Sequence, residues 1–142
     1  MLRVKYLLAF KDKAVWSVEP EQPVLEAIRM MADKHIGALP VMRGDELIGI
    51  VSERDYARKV ILMGRSSSDT PVWEIMSSPV TTVTPDESVH RCMEIMTEKR
   101  IRHLPVVERG RMIGIISIGD LVKAVIEEQQ QTIDQLERYI AG

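Results

Sequence analysis

The sequence predicts a mixed α/β (α+β) fold in which one β-α-β-β-α unit is built twice with pseudo-twofold symmetry. The first observation behind this is internal repetition, which is best sought before any other pattern. "HIGALPVMRGDELIGIVSERDYARKV" (His35 to Val60) matches "RIRHLPVVERGRMIGIISIGDLVKAV" (Arg100 to Val125) without a gap. Pro40 meets Pro105, Gly49 meets Gly114, Ser52 meets Ser117 and Asp55 meets Asp120. The register also holds upstream, where Pro20, Val24 and Met31 meet Pro85, Val89 and Met96. The second observation is that each copy passes from helical apolar spacing to two short apolar runs about a turn. The third is size: 142 residues at 45% hydrophobic suffice for one substantial core, whereas a lone repeat would bury too little. Two repeats sharing one core is therefore the expectation.

Met1 to Lys13 is a weakly patterned lead, a short helix setting Tyr6, Leu7 and Phe10 on the core. "WSVEPEQPV" alternates and then turns at its prolines, which predicts a short strand from Trp16. Val24, Ala27, Ile28 and Met31 recur at helical intervals, predicting a helix to Lys34. Ala38 to Met42 and Leu47 to Val51 flank "RGDE" as a β-hairpin. A helix follows from Ser52 to Met63 and stops at a capping Gly64. "GRSSSDTP" is a polar linker, and "VWEIM" is one helical turn. The order then recurs: a strand at Val80 to Val83, a helix from Ser88 to Lys99, a hairpin from His103 to Ser117, and a helix from Ile118. That helix runs on through "EEQQQ", with Val122, Val125, Ile126, Ile133, Leu136 and Ile140 as a thin apolar stripe suited to its own or a partner subunit. The divisions expected are a lead at 1–15, repeat one at 16–63, a linker at 64–76, repeat two at 77–127 and a helical tail at 128–142.

The net charge of −2 argues against a basic nucleic-acid footprint over the whole chain. A patch of Arg54, Arg58, Lys59 and Arg65 is offset by sparse aromatics, so nucleic acid is not the expected partner. Cys92 is the single cysteine, which excludes an internal disulfide, and it falls on the apolar face of its helix, at the position equivalent to Ala27, as a small hydrophobe. His35, His90 and His103 lack metal-ligand spacing. Met30, Met31, Met93 and Met96 read as core. Trp16 and Trp73 could stack on a base, although Trp73 suits an anchor for the linker or a dimer contact. No signal-peptide pattern or span of about 20 apolar residues occurs, so the expected setting is cytoplasmic, with no membrane partner.

The tetrads "SERD" (Ser52 to Asp55) and "SIGD" (Ser117 to Asp120) stand where an apolar strand ends and a helix begins. Backbone N–H groups at a helix start receive phosphate well, and a serine there can donate to a phosphate oxygen. An aspartate one turn on can accept from both vicinal hydroxyls of a ribose. Gly49 and Gly114 would let the backbone approach a flat ring. Ser-x-x-Asp is equally a capping pattern that needs no ligand. Pattern alone leaves both readings open.

The paired "IGALPVMRGDELIGIVSERD" and "IRHLPVVERGRMIGIISIGD" resembles the CBS domain, named after cystathionine β-synthase and usually found in tandem. "ERDYARKV…GRSS" and "QQQTIDQLERYI" resemble a bacterial stand-alone subgroup concerned with signal transduction. The resemblance implies a pair of repeats whose central cleft binds adenosine nucleotides and which joins into a homodimer. Carried over residue by residue, it puts ribose on Asp55 and Asp120 and phosphate on Ser52 and Ser117. Adenine would lie by Ser17 and Thr82. The segments facing phosphate would be Gly37 and Ala38 in one repeat, Arg102 and His103 in the other. Ile36, Gly37 and Ala38 could pack on adenine. Arg54, aided by Arg58, would make up the missing charge, and Gly119 stands where Arg54 does. Because Arg102 and His103 have no counterparts at Gly37 and Ala38, the two sites should be unequal.

The function expected is a regulatory adenine-nucleotide sensor of energy or redox state, acting through its dimer surface on an unidentified protein effector. AMP is the first expectation, since few basic residues suit one phosphate; NAD(H), ADP and ATP follow. No nucleophile-base cluster, metal set or Walker loop points to an enzyme. The alternative is a ligand-independent dimerisation scaffold in which both tetrads are only caps.

Overall fold

The structure is a computed structural model that describes residues 1–11 and 15–141. Residues 12–14, inside the expected lead segment, lie outside the described residues, as does Gly142. The elements are α1 (Val4–Leu8), α2 (Val24–Lys34), β1 (Ala38–Arg43), β2 (Glu46–Ser52) and α3 (Glu53–Tyr56), which passes into a π-helical turn at Ala57–Ile61. A 3₁₀ turn (Val72–Glu74), α4 (Val89–Lys99), β3 (His103–Glu108), β4 (Arg111–Ser117) and α5 (Ile118–Ala141) complete the order. The mixed α/β class expected from the repeats is the observed one.

The described residues fall into two compact units, one within Met1–Lys13, Thr82–Glu108 and Ile113–Gly142, the other within Ala14–Thr81 and Arg109–Met112. Each has its own core, so the expectation of one shared core is corrected. In the second repeat Val83, Val89, Cys92, Met96, Leu104, Val106, Ile116 and Leu121 cluster with Val4 and Leu7. In the first, Val18, Val24, Ala27, Met31, Leu39, Val41, Val51 and Val60 cluster with Val72 and Ile75.

The physical reason is that each repeat borrows a segment from outside itself. Leu2 O accepts the Val89 N–H at 2.9 Å, and Thr70 O accepts the Val24 N–H at 2.8 Å. The lead segment thus starts α4, while the linker starts α2. Val4 and Leu7 close one core as Val72 and Ile75 close the other. With helical spacing of three, Val4 and Leu7 share a face that excludes Tyr6, and Phe10 lies beyond the end of α1. Those two rings are 51% and 90% exposed, so only Leu7 of the three expected lead residues reaches the core.

α2 and α4 form over the expected spans because each carries an apolar face: Val24, Ala27 and Met31 in one, Val89, Cys92 and Met96 in the other. Ser88 Oγ accepts the Arg91 N–H at 3.1 Å and caps α4, whereas Pro23 gives α2 no side-chain cap. Both helices end on a left-handed residue, His35 and Arg100, each at φ 55°. The Ile36 and Ile101 N–H groups then reach back to Met31 O and Met96 O at 3.1 and 3.0 Å. That closure usually uses glycine, which is why the sequence does not announce it.

β1 and β2 pair antiparallel, with Ala38 opposite Ser52 and Leu39 opposite Val51, and an irregularity after Val41. β3 and β4 form the second hairpin. Arg109 (φ 53°) and Gly110 (φ 77°) give it the two left-handed positions that a tight two-residue turn requires. The expected leading strands shrink to single bridges, Val18 on Val41 and Val83 on Val106, both parallel. The Val18 N–H donates to Pro40 O at 3.1 Å and the Val83 N–H to Pro105 O at 3.1 Å. A proline has a carbonyl but no N–H to offer a ladder, which limits how far such pairing extends.

Gly64 sits at φ 67°, and the Arg65 N–H reaches Val60 O at 2.9 Å, the expected helix stop. Among the described residues no helix is long and apolar enough to cross a membrane.

Candidate functional site

Both Ser-x-x-Asp tetrads adopt one geometry, each within its own unit. In the first repeat the Ser52 N–H donates to Asp55 Oδ2 at 2.9 Å, and Ser52 Oγ accepts the Asp55 N–H at 3.2 Å. In the second, the Ser117 N–H donates to Asp120 Oδ2 at 2.8 Å, and Ser117 Oγ accepts the Asp120 N–H at 3.2 Å. These are reciprocal caps, with aspartate standing where a capping box has glutamate. The Glu53 N–H donates to Gly37 O at 3.1 Å and the Ile118 N–H to Arg102 O at 2.9 Å. Of the helix-start N–H groups expected to receive phosphate, the first and third are therefore already taken by protein oxygens. What each junction offers a ligand is chiefly the carboxylate and the serine hydroxyl.

The same bonds bring the expected residues together. Gly37 and Ala38 adjoin Ser52 and Asp55 through the Gly37 carbonyl and the Ala38–Ser52 pairing. Ala38 is 3% exposed, so its contribution to any ligand is backbone. Ile36 and Ser17 are half-buried, and Arg54 is exposed. In the second repeat Arg102 is tied to Ile118, and His103 feels the charges of Lys11, Asp120 and Arg102. Ser117 and Asp120 are half-buried, while Thr82 and Gly119 are exposed. Ser17 and Thr82 each precede the single bridging residue, Val18 or Val83, on the strand beside them.

The glycines do something other than expected. A Cβ on Gly49 would meet the Met76 side chain and lie 3.2 Å from Ser77 O. One on Gly114 would lie 2.8 Å from Leu8 Cδ2. The close approach is to the chain's own linker and lead segments, not to a flat ring. Trp16 is likewise engaged, with Lys34 Nζ 4.0 Å from its ring centroid. Trp73 is 53% exposed.

The two carboxylates differ in their cations. Asp55 Oδ1 lies 3.3 Å from Lys59 Nζ, one helical turn on, a half-buried i,i+4 pair within one helical segment. Asp120 Oδ2 lies 2.6 Å from Lys11 Nζ, which also donates to Ile115 O at 2.8 Å. Lys11 went unforeseen because 109 residues separate it from Asp120; Lys59 could have been found from its i,i+4 spacing.

Burial pushes the Asp120 carboxyl up, but the Lys11 ammonium and the Ser117 N–H outweigh it, so the group titrates below its usual range. Burial and the Lys11 charge hold His103 below the usual imidazole range, with Arg102 adding to them and Asp120 opposing. His103 is therefore held toward its neutral form at pH 7. A groove of about 510 Å³ adjoins Asp120, between α1 and the first half of α5. Tyr6, Phe10, Lys11, Lys123 and Glu127 are among its walls. Ligand sites commonly run from about 300 to 1,000 Å³. Of the expected site residues it touches Asp120 alone. Among the described residues no cluster of three or more metal-ligating side chains occurs.

Two copies of one mixed unit, each with a Ser-Asp cap at a strand-to-helix junction, define a tandem-repeat module. The family model described as the CBS domain matches residues 10–61 and 72–127, and the chain belongs to the CBS-domain family. It is 44% identical over 127 residues to the mitochondrial CBS domain-containing protein CBSX3 of Arabidopsis thaliana, covering 86% of this chain and 62% of that one. The chain thus spans about three fifths of that relative's length. A CBS-domain structure from Burkholderia ambifaria MC40-6, given as a candidate signal-transduction protein, aligns with a TM-score of 0.86 at 51% identity. The match covers 89% of this chain and 96% of that one. The CBS domain pair of protein MJ0100, solved with 5′-methylthioadenosine and S-adenosyl-L-methionine, aligns with a TM-score of 0.80 at 25% identity. It covers 90% of this chain and 98% of that one.

Proposed function

We propose that this chain is a regulatory adenosine-ligand module, not an enzyme, whose principal site is built on Asp120 and Ser117. The observation that carries the reading is the cationic setting of one cap. Asp120 is met by Lys11 and lies within electrostatic reach of His103, which also senses Arg102, whereas Asp55 is met by Lys59 of its own helix. An adenosine ligand needs an acceptor for its ribose diol and donors for phosphate, and the second repeat has both within one unit. The MJ0100 pair, solved with two adenosine-containing ligands, supports the ligand class.

In this reading Asp120 accepts from the ribose, Ser117 Oγ turns its hydrogen toward phosphate, Arg102 balances the charge and His103 donates a ring N–H. Thr82 frames adenine. Ser17, Ile36, Gly37, Ala38, Ser52, Arg54 and Asp55 form the weaker counterpart in repeat one. AMP is the first ligand, since one arginine, one lysine and a neutral histidine suit one phosphate better than three; NAD(H), ADP and ATP come next. Repeats at 16–63 and 77–127 would hold ligand, with 64–76 joining them.

Exposed Val122, Ile126, Ile133, Leu136 and Ile140 on α5 suit a homodimer contact and the signal to an effector. The proposed setting is cytoplasmic. The test is binding of AMP to the purified protein by calorimetry, with Asp120→Asn as the control. Asparagine keeps an oxygen for the Ser117 N–H but loses the charge.

One observation favours a ligand-independent scaffold instead: both tetrads already serve as helix caps. A scaffold would stay dimeric in Asp120→Asn and show no heat with any adenine nucleotide.

A further inference from the structure

Lys11 precedes the first repeat at 16–63, yet its ammonium rests on the carboxylate that the preceding reading gives to ribose in the second. Its partners are Asp120 Oδ2 at 2.6 Å and Ile115 O at 2.8 Å. The segment bearing it is fixed: the Val4 N–H donates to Glu87 O and the Lys5 N–H to Pro85 O, both at 2.9 Å. Val4 and Leu7 are buried, so α1 is anchored while the Lys11 side chain is one third exposed. A lysine stem is flexible and its ammonium is a point charge, so it can change partners without moving α1.

Asp120 Oδ2 already accepts from the Ser117 N–H and from Lys11. A ribose diol, which donates to both carboxylate oxygens, must compete with the ammonium for Oδ2. Leaving Asp120 costs the ammonium its anion, unless the ligand brings another. His103 senses the Lys11 charge, which places that ammonium within electrostatic reach of the residues proposed to face phosphate.

We propose that Lys11 is a specificity-determining residue of the Asp120 site, selecting phosphorylated adenosine ligands over the bare nucleoside. It opposes the diol of any ligand and is compensated only by one whose phosphate receives its ammonium. This rests on the adenosine-ligand reading above and deepens it. The ligand class is a nucleotide with a free 2′,3′-diol and at least one phosphate.

The test is calorimetric titration of the full chain, wild type and Lys11→Met, with AMP and with adenosine. In the wild type AMP should bind much the tighter. In Lys11→Met adenosine should tighten by about three- to tenfold and AMP should weaken by a similar factor, the scale of one charge-assisted contact. Lys11→Arg, which keeps the charge, should keep most of the preference. An AMP-to-adenosine preference unchanged in Lys11→Met would overturn the role of Lys11 and leave the nucleotide reading standing. Absence of AMP binding to both proteins would overturn that reading and this role with it.

Discussion

Leu8 and Met76 do the same job in the two halves of the chain: each side chain fills the space over a strand glycine, Leu8 over Gly114 and Met76 over Gly49. Each stands in a segment outside the repeat it completes. The segments share a pattern, with Val4, Leu7 and Leu8 answering Val72, Ile75 and Met76. The glycines of "LIGIV" and "MIGII" are thus packing positions.

That relationship sets unequal costs for adding a methyl group. Gly49→Ala meets Met76 and also the Ser77 backbone, which cannot swing aside, so it should cost about 1–3 kcal/mol. Gly114→Ala meets only the end of the Leu8 side chain and should cost under about 1 kcal/mol. Urea unfolding midpoints of the two variants check the order.

Cys92 is buried, and its thiol is pushed up to about 11 by that burial and by Glu87. It should resist alkylation at pH 8 in the native protein and react at once in denaturant. Cys92→Ala copies Ala27 of the first repeat and should cost about 1–2 kcal/mol. A fast native reaction in a thiol assay would contradict the packing described.

His103 supplies a pH dependence with a definite sign. Its folded pKa is lowered, so the folded protein binds fewer protons there than the unfolded chain. The stability it contributes is present above the ordinary imidazole range and is lost as pH falls through its lowered value. His103→Gln should therefore flatten the decline in stability between about pH 7 and 5. Asp120, also lowered, keeps its contribution until more acidic pH. A bound phosphate would raise His103, so AMP affinity should grow from about pH 8 to pH 6. Calorimetry in buffers of different ionisation heat reads that proton uptake directly.

Much of this molecule was legible in the sequence where the signal was local. The apolar faces of α2 and α4, the turns at Gly44 and Gly110 and the stop at Gly64 each depend on residues a few positions apart. The Ser-Asp junctions were legible as positions, and pattern left cap and ligand site open. The structure supplies the cap. Other features were hidden by distance or by missing punctuation. Lys11 meets Asp120 across 109 residues, and His35 and Arg100 end helices where glycine would have advertised the turn. The likeness of "VKYLL" to "VWEIM" was visible in principle, but three extra residues before Ser17 break its register with the repeat. Without it the lead carries only a weak pattern, and hydrophobicity alone points Tyr6 and Phe10 inward as readily as Leu7.

Adenosine-ligand binding at Asp120 can be read by calorimetric titration of the purified chain with AMP. Saturable heat should appear with the wild type, disappear in Asp120→Asn and survive in Asp55→Asn, since the first repeat has no counterparts of Arg102 and His103 and no Lys11 on its carboxylate. The absence of both heat and thermal stabilisation with AMP, ADP, ATP and NADH would contradict adenosine-ligand binding, and the two Ser-Asp junctions would then be helix caps in a scaffold.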